Sequence, residues 1–572
     1  MSYFFIDAQK EVQNTLKLAL TKLNYKCEIK LEIPPNKMGD FAFPCFSLTP
    51  IAKKSPDKIA EEIVKHLKKN SWIEKMQAKG GYINFFLDNE KLKKSVFQSI
   101  NEKYGYLSKK NIKVIVEHTS ANPNGPLHVG RARNPIIGDT IVRIFKAAGY
   151  SVESQFYLDD MGKQVAVLAW GIKNLDEKDI PKSSYNKSDH KKVGYYQLTS
   201  KLMKDDFTIS DEIGKIVKKS EEGDSKTINT IHKAYAPVLN GMIESMQRIN
   251  ITIDSYIPES NFVKDKSVEL VVKNLKKSKF CSIEDEAYYL DLESFGIKGR
   301  NTNFFFLRKD GTTLYATRDI AYHIWKAKHA DILINVLGED HKLESKQVEI
   351  ALSLLNIKKI PKVIFYSFVT LPEGKMSTRR GNVVYLDDLI EECIKRAYNE
   401  VKKRRGNELD DQKLKEIAEL IGVGALRYNI VKVQPEKDIM FKWEDALNFE
   451  GNAAPFIQYS HARACSILKK NNKEINNIDT TLLKHDSEIN LIKIIAKFPL
   501  IINEASNNFK PHIIASYLYE TASLFNQFYR DCPVLSIKNI NIKNARLSLV
   551  NATRIVIRNG LDLLGIIAPE EM

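Results

Sequence analysis

The sequence predicts a multidomain α/β protein, and three observations carry that prediction. The chain has 572 residues, several times the roughly 100–200 that one core usually organises. Short apolar runs at 114–116 (VIV), 332–337 (ILINVL) and 363–369 (VIFYSFV) alternate with stretches of helical spacing, as buried parallel strands do. From about residue 441 the pattern is almost wholly helical.

Taken in order, residues 7–24 have helical spacing, and 27–33 alternate as a strand. Residues 56–69 form an amphipathic helix opened by Pro56, and Gly80-Gly81 leads into the strand YINFFL. This predicts a small α+β domain over 1–108, ending at the linker-like YGYLSKKN (104–111) and separable from a soluble remainder. An α/β body over 109–440 follows, with a polar insertion at about 171–265 read as helices joined by solvated loops. No chemistry is assigned to that insertion. A helical bundle is expected over 441–572, in segments such as PHIIASYLYETASLFNQFYR (511–530) and ARLSLVNATRIVIRNGLDLL (545–564).

Lys and Arg outnumber Asp and Glu by 87 to 71, for a net charge of +16 and a pI near 9.1. A long phosphate backbone is the partner that most rewards such an excess, although a soluble basic enzyme has the same signature. The six cysteines stand singly, with no spacing suited to zinc, which predicts a reducing compartment and no zinc. Nowhere do about 18 apolar residues run together, and the N-terminus has no signal-peptide pattern. A cytoplasmic protein off the membrane is expected.

Two loops suggest chemistry. In KVIVEHTSANPNGPLHVGRARNPIIGDTIVRIF, starting at Lys113, a strand gives way to a loop stiffened by Pro123 and Pro126 and loosened by Gly125, and a helix begins near His128. Free amides at that helix start suit triphosphate oxygens, and Gly130 leaves room for an adenine ring. Alone, HVG also fits a plain strand-to-helix turn. In VTLPEGKMSTRRGNVVYLDDLI, starting at Val369, Lys375, Arg379 and Arg380 flank Ser377 and Thr378. Such a loop can set cations and donors against phosphates, or be an ordinary solvated basic loop.

A further pattern suits a planar cation, which needs carboxylates placed for paired hydrogen bonds. In RKDGTTLYATRDIAYHIWKAKHA, Asp310-Gly311 reads as a hairpin turn and Thr317 as the cap of the next helix. Tyr315 and Asp319 then face one pocket across a strand-to-helix corner. Asp319 would equally serve to complement the helix start.

Together, the two loops resemble the paired signature sequences of class I aminoacyl-tRNA synthetases, and the whole chain resembles the arginyl-tRNA synthetase family. IPPNKMGDFAFPCFSLTPIAKKSPDKIAEEI and GGYINFFL are similar to its N-terminal domain. TSANPNGPLHVGRARN, YLDDMGKQ, TTLYATRDIAY and KMSTRRGN are similar to its catalytic domain. FIQYSHARACSILKK and GLDLLGIIAPEEM are similar to its helical anticodon-binding domain.

The resemblance implies a class I Rossmann-like nucleotide-binding catalytic domain that attaches L-arginine to tRNA(Arg) through an arginyl-adenylate, releasing AMP and pyrophosphate. It implies ATP contacts from Pro123, Gly125, His128, Gly130, Lys375, Met376, Ser377 and Arg379, with His128, Lys375 and Arg131 acting on the phosphates. It also implies arginine contacts from Glu117 and Asn122 at the α-amino end and from Tyr315 and Asp319 at the guanidinium. For tRNA it implies Asn84 at the elbow; the helical C-terminal domain itself offers Tyr459, His461, Arg463, Tyr529 and Arg530 to the anticodon, and the KKRR run at 402–405 reads as a phosphate contact or, equally, a solvated helix end. Mg²⁺ is expected with ATP, and the working unit is expected to be a monomer.

The chain departs from the family pattern twice: Arg131 replaces the second signature histidine, and Thr378 replaces the last signature lysine. Two rival readings are a class I synthetase for another amino acid and a silent paralogue that binds RNA. The insertion is too small and too polar for the editing domain that small apolar substrates demand, and a Tyr315/Asp319 acid pocket disfavours an anionic substrate.

Overall fold

The computed structural model describes residues 3–35, 38–183, 185–298, 302–370, 384–471 and 478–572. At its centre lies a five-stranded, wholly parallel sheet in the order Lys362–Tyr366, Ile332–Gly338, Lys113–Glu117, Ser151–Leu158, Ser255–Pro258. The chain enters at the middle strand and winds one way to Ser255–Pro258. It then returns to lay the last two strands on the other side. Strand order therefore reverses between Lys113–Glu117 and Ile332–Gly338, and such a reversal opens a crevice at the carboxyl ends of the strands.

The apolar run at 363–369 divides. Its first part joins the main sheet, while Val369–Thr370 pairs with Ile439–Met440 in a separate parallel ribbon. Arg133, fully buried at the start of the Arg133–Ala147 helix, spans that division. Its guanidinium donates to the carbonyls of Ser367, Gln434 and Lys437, each at 2.7 Å. It thereby fixes the first loop's helix to the segment that enters the second loop.

The polar segment is helical, as expected, and packs into the body of the protein. Helices Lys163–Asn174, Ser188–Asp205, Phe207–Glu221 and Ser225–Arg248 pack on one another, and the segment ends in the edge strand Ser255–Pro258 of the main sheet. A three-stranded antiparallel sheet, Cys281–Glu284, Ala287–Asp291 and Asn303–Leu307, follows.

At the N-terminal end, the Phe4–Lys22 helix buries Phe5, Ala8, Val12, Leu16 and Leu20, one stripe of helical spacing. Beside it lies an antiparallel sheet with Tyr82–Leu87 between Phe41–Pro44 and Ile73–Lys79. The expected strand at 27–33 is absent. Its side chains do alternate in burial, but among the described residues the only ladder contact is the bridge Glu32 to Ala42. Pro34 and Pro35 follow at once and lack the amides that would extend the pairing. The helix expected over 56–69 ends at His66.

The C-terminal helices Asp411–Val431, Ala454–Lys469, Asp486–Asn508, His512–Asp531 and Ile540–Leu563 form a bundle. They share one apolar core with the N-terminal helix. Gly105 lies where a Cβ would stand 2.4 Å from the Phe498 ring, and Lys493 reaches Asp40 at 2.9 Å. The N-terminal domain is thus bedded on the bundle through its first helix, Asp40 and Gly105.

Candidate functional site

The central strand ends at Glu117, and the next residues adopt backbone shapes that side chains resist. Thr119 (φ +73°) and Ser120 (φ +32°) lie in the left-handed region, which costs a non-glycine residue on the order of 1 kcal/mol or more. Their partners hold them there: Thr119 N donates to Asn134 Oδ1 at 2.8 Å, and Ser120 Oγ accepts from Tyr157 N at 3.2 Å. His118 is buried against Gly138, and burial pushes its imidazole down to about 4, so the ring is neutral at pH 7.

The loop then reaches His128, which caps a short 3₁₀ turn, Val129–Arg131. The amides expected to be free here are partly used. Val129 N donates to Val384 O at 3.1 Å, and Arg131 N and Ala132 N close the turn. What this region offers a ligand is therefore more side chain than amide. His128 bridges to Tyr385, and Leu386 N donates to Leu127 O at 2.7 Å. The residue following 371–383 is thus seated directly on the first loop. Lys375, Met376, Ser377, Thr378, Arg379 and Arg380 lie outside the described residues.

A cavity of about 480 Å³ opens over this turn. Asn122, Gly125, His128, Gly130 and Arg131 line it from the first loop. Pro123 is buried behind the wall and does not line it. Gly125 lets the Ser188–Asp205 helix approach, since a Cβ would stand 2.5 Å from Val193 Cγ2. That helix supplies Tyr196 and Gln197 to the wall, so the polar segment takes part in the site. Partial desolvation against the turn and the nearby Arg131 charge push the exposed His128 below its ordinary value, which favours the neutral ring.

Arg131 and Phe368 also line a second, smaller cavity of about 80 Å³. Its wall holds Glu117, Tyr315, Asp319, Asn335 and His341. Tyr315 and Asp319 come together by a different route from the one expected. The helix starts at Tyr315 itself, with Leu314 at the cap position. Thr317 is buried inside the first turn and donates to Phe306 O at 2.7 Å, so it is not the cap. Tyr315 and Asp319 are consequently an i, i+4 pair on one helix face.

Burial would raise the Asp319 carboxyl, but the hydrogen bond from His323 and the charges of Lys326 and His341 outweigh it and hold it below the usual range. His341 is itself raised by its hydrogen bond to Glu344. Asn122 stands on the larger cavity, not beside Glu117.

Several residues at the site escape a reading of the sequence. Glu117 is 5% exposed and meets Lys326, which is wholly buried, at 2.5 Å. The only signal for Lys326 is its spacing, seven residues after Asp319 on the same helix face. Lys187, Asp189, His190 and Ser245 of the polar segment converge on buried Asp387. Among the described residues Asp189, His190 and Asp387 are spaced to hold a metal ion. The Lys187 ammonium, 2.8 Å from Asp387 and 3.3 Å from Asp189, already supplies the cation.

The candidate RNA contacts separate by exposure. Asn84 is 4% exposed, on the same side of its strand as the half-buried Tyr82 and Phe86, with Gly39 lying over it. Tyr459 is 42% exposed, and the Arg463 guanidinium stacks 4.7 Å from its ring and 5.1 Å from that of Tyr529. Tyr459 and Arg463 border a cavity of about 560 Å³ with Arg404, Phe449 and Met572. Arg530 is exposed. His461 is not a surface group: it is 1% exposed and its ring pairs with Pro569 O at 2.8 Å. In the KKRR run, Arg405 is tied to Met572 O and Glu408, and Arg404 lies over the Phe449 ring at 4.4 Å.

A crevice where a parallel sheet reverses order, roofed by an HVG turn and abutted by the residue after a basic loop, is the architecture of a class I aminoacyl-tRNA synthetase. The family model described as tRNA synthetases class I (R), catalytic domain, matches residues 94–443. Those for the arginyl tRNA synthetase N terminal domain and the DALR anticodon binding domain match 7–87 and 457–572. The chain belongs to the arginyl-tRNA synthetase family.

It is 47% identical over 528 residues to an arginine–tRNA ligase of Methanocella arvoryzae, covering 92% of each chain. It is 42% identical over 569 residues to that of Methanothermobacter thermautotrophicus, covering 99% of each. Among solved structures, the arginyl-tRNA synthetase of Thermus thermophilus superposes with a TM-score of 0.86 at 27% identity, over 98% of this chain and 100% of that one. No helix among the described residues is long and apolar enough to cross a membrane.

Proposed function

We propose that this chain uses ATP to attach L-arginine to tRNA(Arg), and that its two joined cavities hold the two small substrates. The observation behind this reading is the shared wall. Arg131 and Phe368 border both cavities, so an amino acid in the smaller one presents its carboxylate to a triphosphate in the larger.

The guanidinium lies against Asp319 and Tyr315, and the α-amino group is directed to Glu117, with Asn122 near the carboxylate. The ATP–Mg²⁺ complex lies along Gly125, His128, Gly130 and Arg131, with Pro123 shaping the loop. Lys375, Met376, Ser377 and Arg379 complete the nucleotide contacts from the second loop, where Arg379 or Arg380 supplies the cation that Thr378 lacks.

The arginine carboxylate attacks the α-phosphorus, pyrophosphate leaves, and an arginyl-adenylate forms. A hydroxyl of the tRNA's terminal ribose then attacks the carbonyl carbon, gives up its proton, and AMP leaves. Positioning and charge carry the rate, since no protein atom need become covalently bound. His128 donates to a phosphate oxygen, and Arg131 and Lys375 meet the charge that grows on the pyrophosphate side.

Residues 1–108, 109–440 and 441–572 serve as the tRNA-elbow, catalytic and anticodon domains. The exposed stack of Tyr459, Arg463 and Tyr529 suits an unpaired base. Asn84 reads a base only if the cover over it yields. The working unit is read as a monomer, and the singly placed cysteines suit a cytoplasmic enzyme without zinc.

ATP–pyrophosphate exchange with each amino acid, with and without tRNA, tests the proposal. Exchange with arginine alone is expected. Exchange with another amino acid, or with none under either condition, would overturn it.

A further inference from the structure

Asp319, His323 and Lys326 recur at i, i+4 and i+7 of the Tyr315–His329 helix, so one face presents all three. The neighbouring strand sets Asn335 beside Glu117 in register. Lys326 Nζ donates to Glu117 Oε2 at 2.5 Å and to Asn335 Oδ1 at 3.1 Å. Asn335 Nδ2 lies 2.9 Å from His323 Nε2. His323 Nδ1 lies 3.1 Å from Asp319 Oδ1 and 2.8 Å from the Asp319 carbonyl. Lys326, Asn335 and His323 are 0%, 3% and 4% exposed, so the contacts between them are made inside the protein. One buried relay thus joins Glu117 to Asp319.

The roles along it follow one from another. An ammonium only donates, so the Asn335 atom facing Lys326 is its oxygen, and the orientation of the amide is fixed. The other Asn335 atom is then the NH₂, which donates to His323 Nε2. That nitrogen accepts and carries no proton, which leaves the ring's single proton on Nδ1, facing Asp319.

We propose that Asn335 is a positioning residue for arginine selection: it holds His323 as the neutral Nδ1–H form, so that Asp319 keeps its negative charge for a guanidinium. The proposal rests on the reading of Asp319 as the guanidinium partner. A neutral ring orients the carboxylate through one hydrogen bond and adds no charge. An imidazolium in the same place is a resident cation that competes with the substrate for Asp319. The charged groups around the ring are Asp319 and Lys326 on its own helix and Glu117 beyond Asn335. Glu349, from the Lys342–Leu354 helix, shares a small cavity with it.

Asn335→Asp tests this at constant size. It keeps an acceptor for Lys326 but faces Nε2 with a second acceptor, which draws a proton onto that nitrogen. In ATP–pyrophosphate exchange the half-saturating arginine concentration should rise about tenfold, with that for ATP changing less than about twofold. Nitrogen-15 spectra of histidine-labelled protein should show His323 protonated only on Nδ1 in the parent and on both nitrogens in the variant.

Asp319→Ala runs beside it. If Asp319→Ala shifts the arginine and ATP dependences alike, the guanidinium site is misassigned and the proposal falls with it. If Asp319→Ala is selective for arginine while Asn335→Asp leaves the arginine dependence unchanged, the relay alone is overturned. A parent spectrum with His323 Nε2 protonated overturns it too, and needs no variant to fold.

Discussion

Gly138 and His118 illustrate how little slack surrounds the crevice. A Cβ on Gly138 would stand 2.2 Å from His118 Cγ, and the ring is enclosed, so it cannot swing clear. The left-handed Thr119 and Ser120 follow that ring and line the smaller cavity. Gly138→Ala should therefore lower the unfolding midpoint by an amount equivalent to about 1–3 kcal/mol and slow amino-acid activation with it. A variant of parental stability would show that the ring has room. Residues of this kind are only partly legible in a sequence. Gly125, His128, Gly130 and Arg131 stand in one short motif, and the structure places all four on one cavity. Asn335 sits in an apolar strand run and Lys326 in a basic helix end, so neither stands out until strand register and helix face bring them together.

At the scale of elements, the polar segment is the instructive case. Its helices bury narrow stripes and leave wide charged faces, so composition reads as solvent, yet the Ser188–Asp205 helix carries Tyr196 and Gln197 to the larger cavity. The segment also clasps the helix that follows the second loop. Asp387, 1% exposed, accepts from His190 and Lys187 at 2.8 Å and from Ser245 at 3.0 Å.

Burial would raise the Asp387 carboxyl, but these donors and the Lys187 charge push it down to about 2 from 3.8. A depressed carboxylate contributes stability that is fully present above its unfolded value and lost as pH falls through the folded one. The clasp should thus contribute on the order of 2 kcal/mol above about pH 4 and lose it on approaching pH 2. Hydrogen exchange of the amides at 386–390 measures this: Asp387→Asn should exchange faster than the parent at pH 5, with the gap closing toward pH 2. A gap independent of pH would contradict the assignment.

For the molecule as a whole, the apolar runs are enough to predict a parallel sheet and a helical bundle, because burial on both faces leaves a strong mark in sequence. Where one domain ends is harder to read. YGYLSKKN has the composition of a linker, but Gly105 within it packs against Phe498, and Glu102 beside it pairs with Arg554 and Arg558. Contacts more than 390 residues apart in sequence leave no local signature. Deleting residues 1–108 should consequently uncover the Phe498 and Ile502 face of the bundle and give a remainder that aggregates. A monodisperse, well-folded remainder by light scattering and calorimetry would show that the shared core is dispensable.

The central claim is that the two cavities meeting at Arg131 are one site for ATP and arginine. A structure of the full chain with a non-hydrolysable arginyl-adenylate analogue tests it most directly. The account predicts the guanidinium against Asp319 and Tyr315, the phosphate mimic beside Arg131 and His128, and the adenine near Gly130. An analogue bound with its guanidinium away from Asp319, or with the two halves outside the joined cavities, would contradict it.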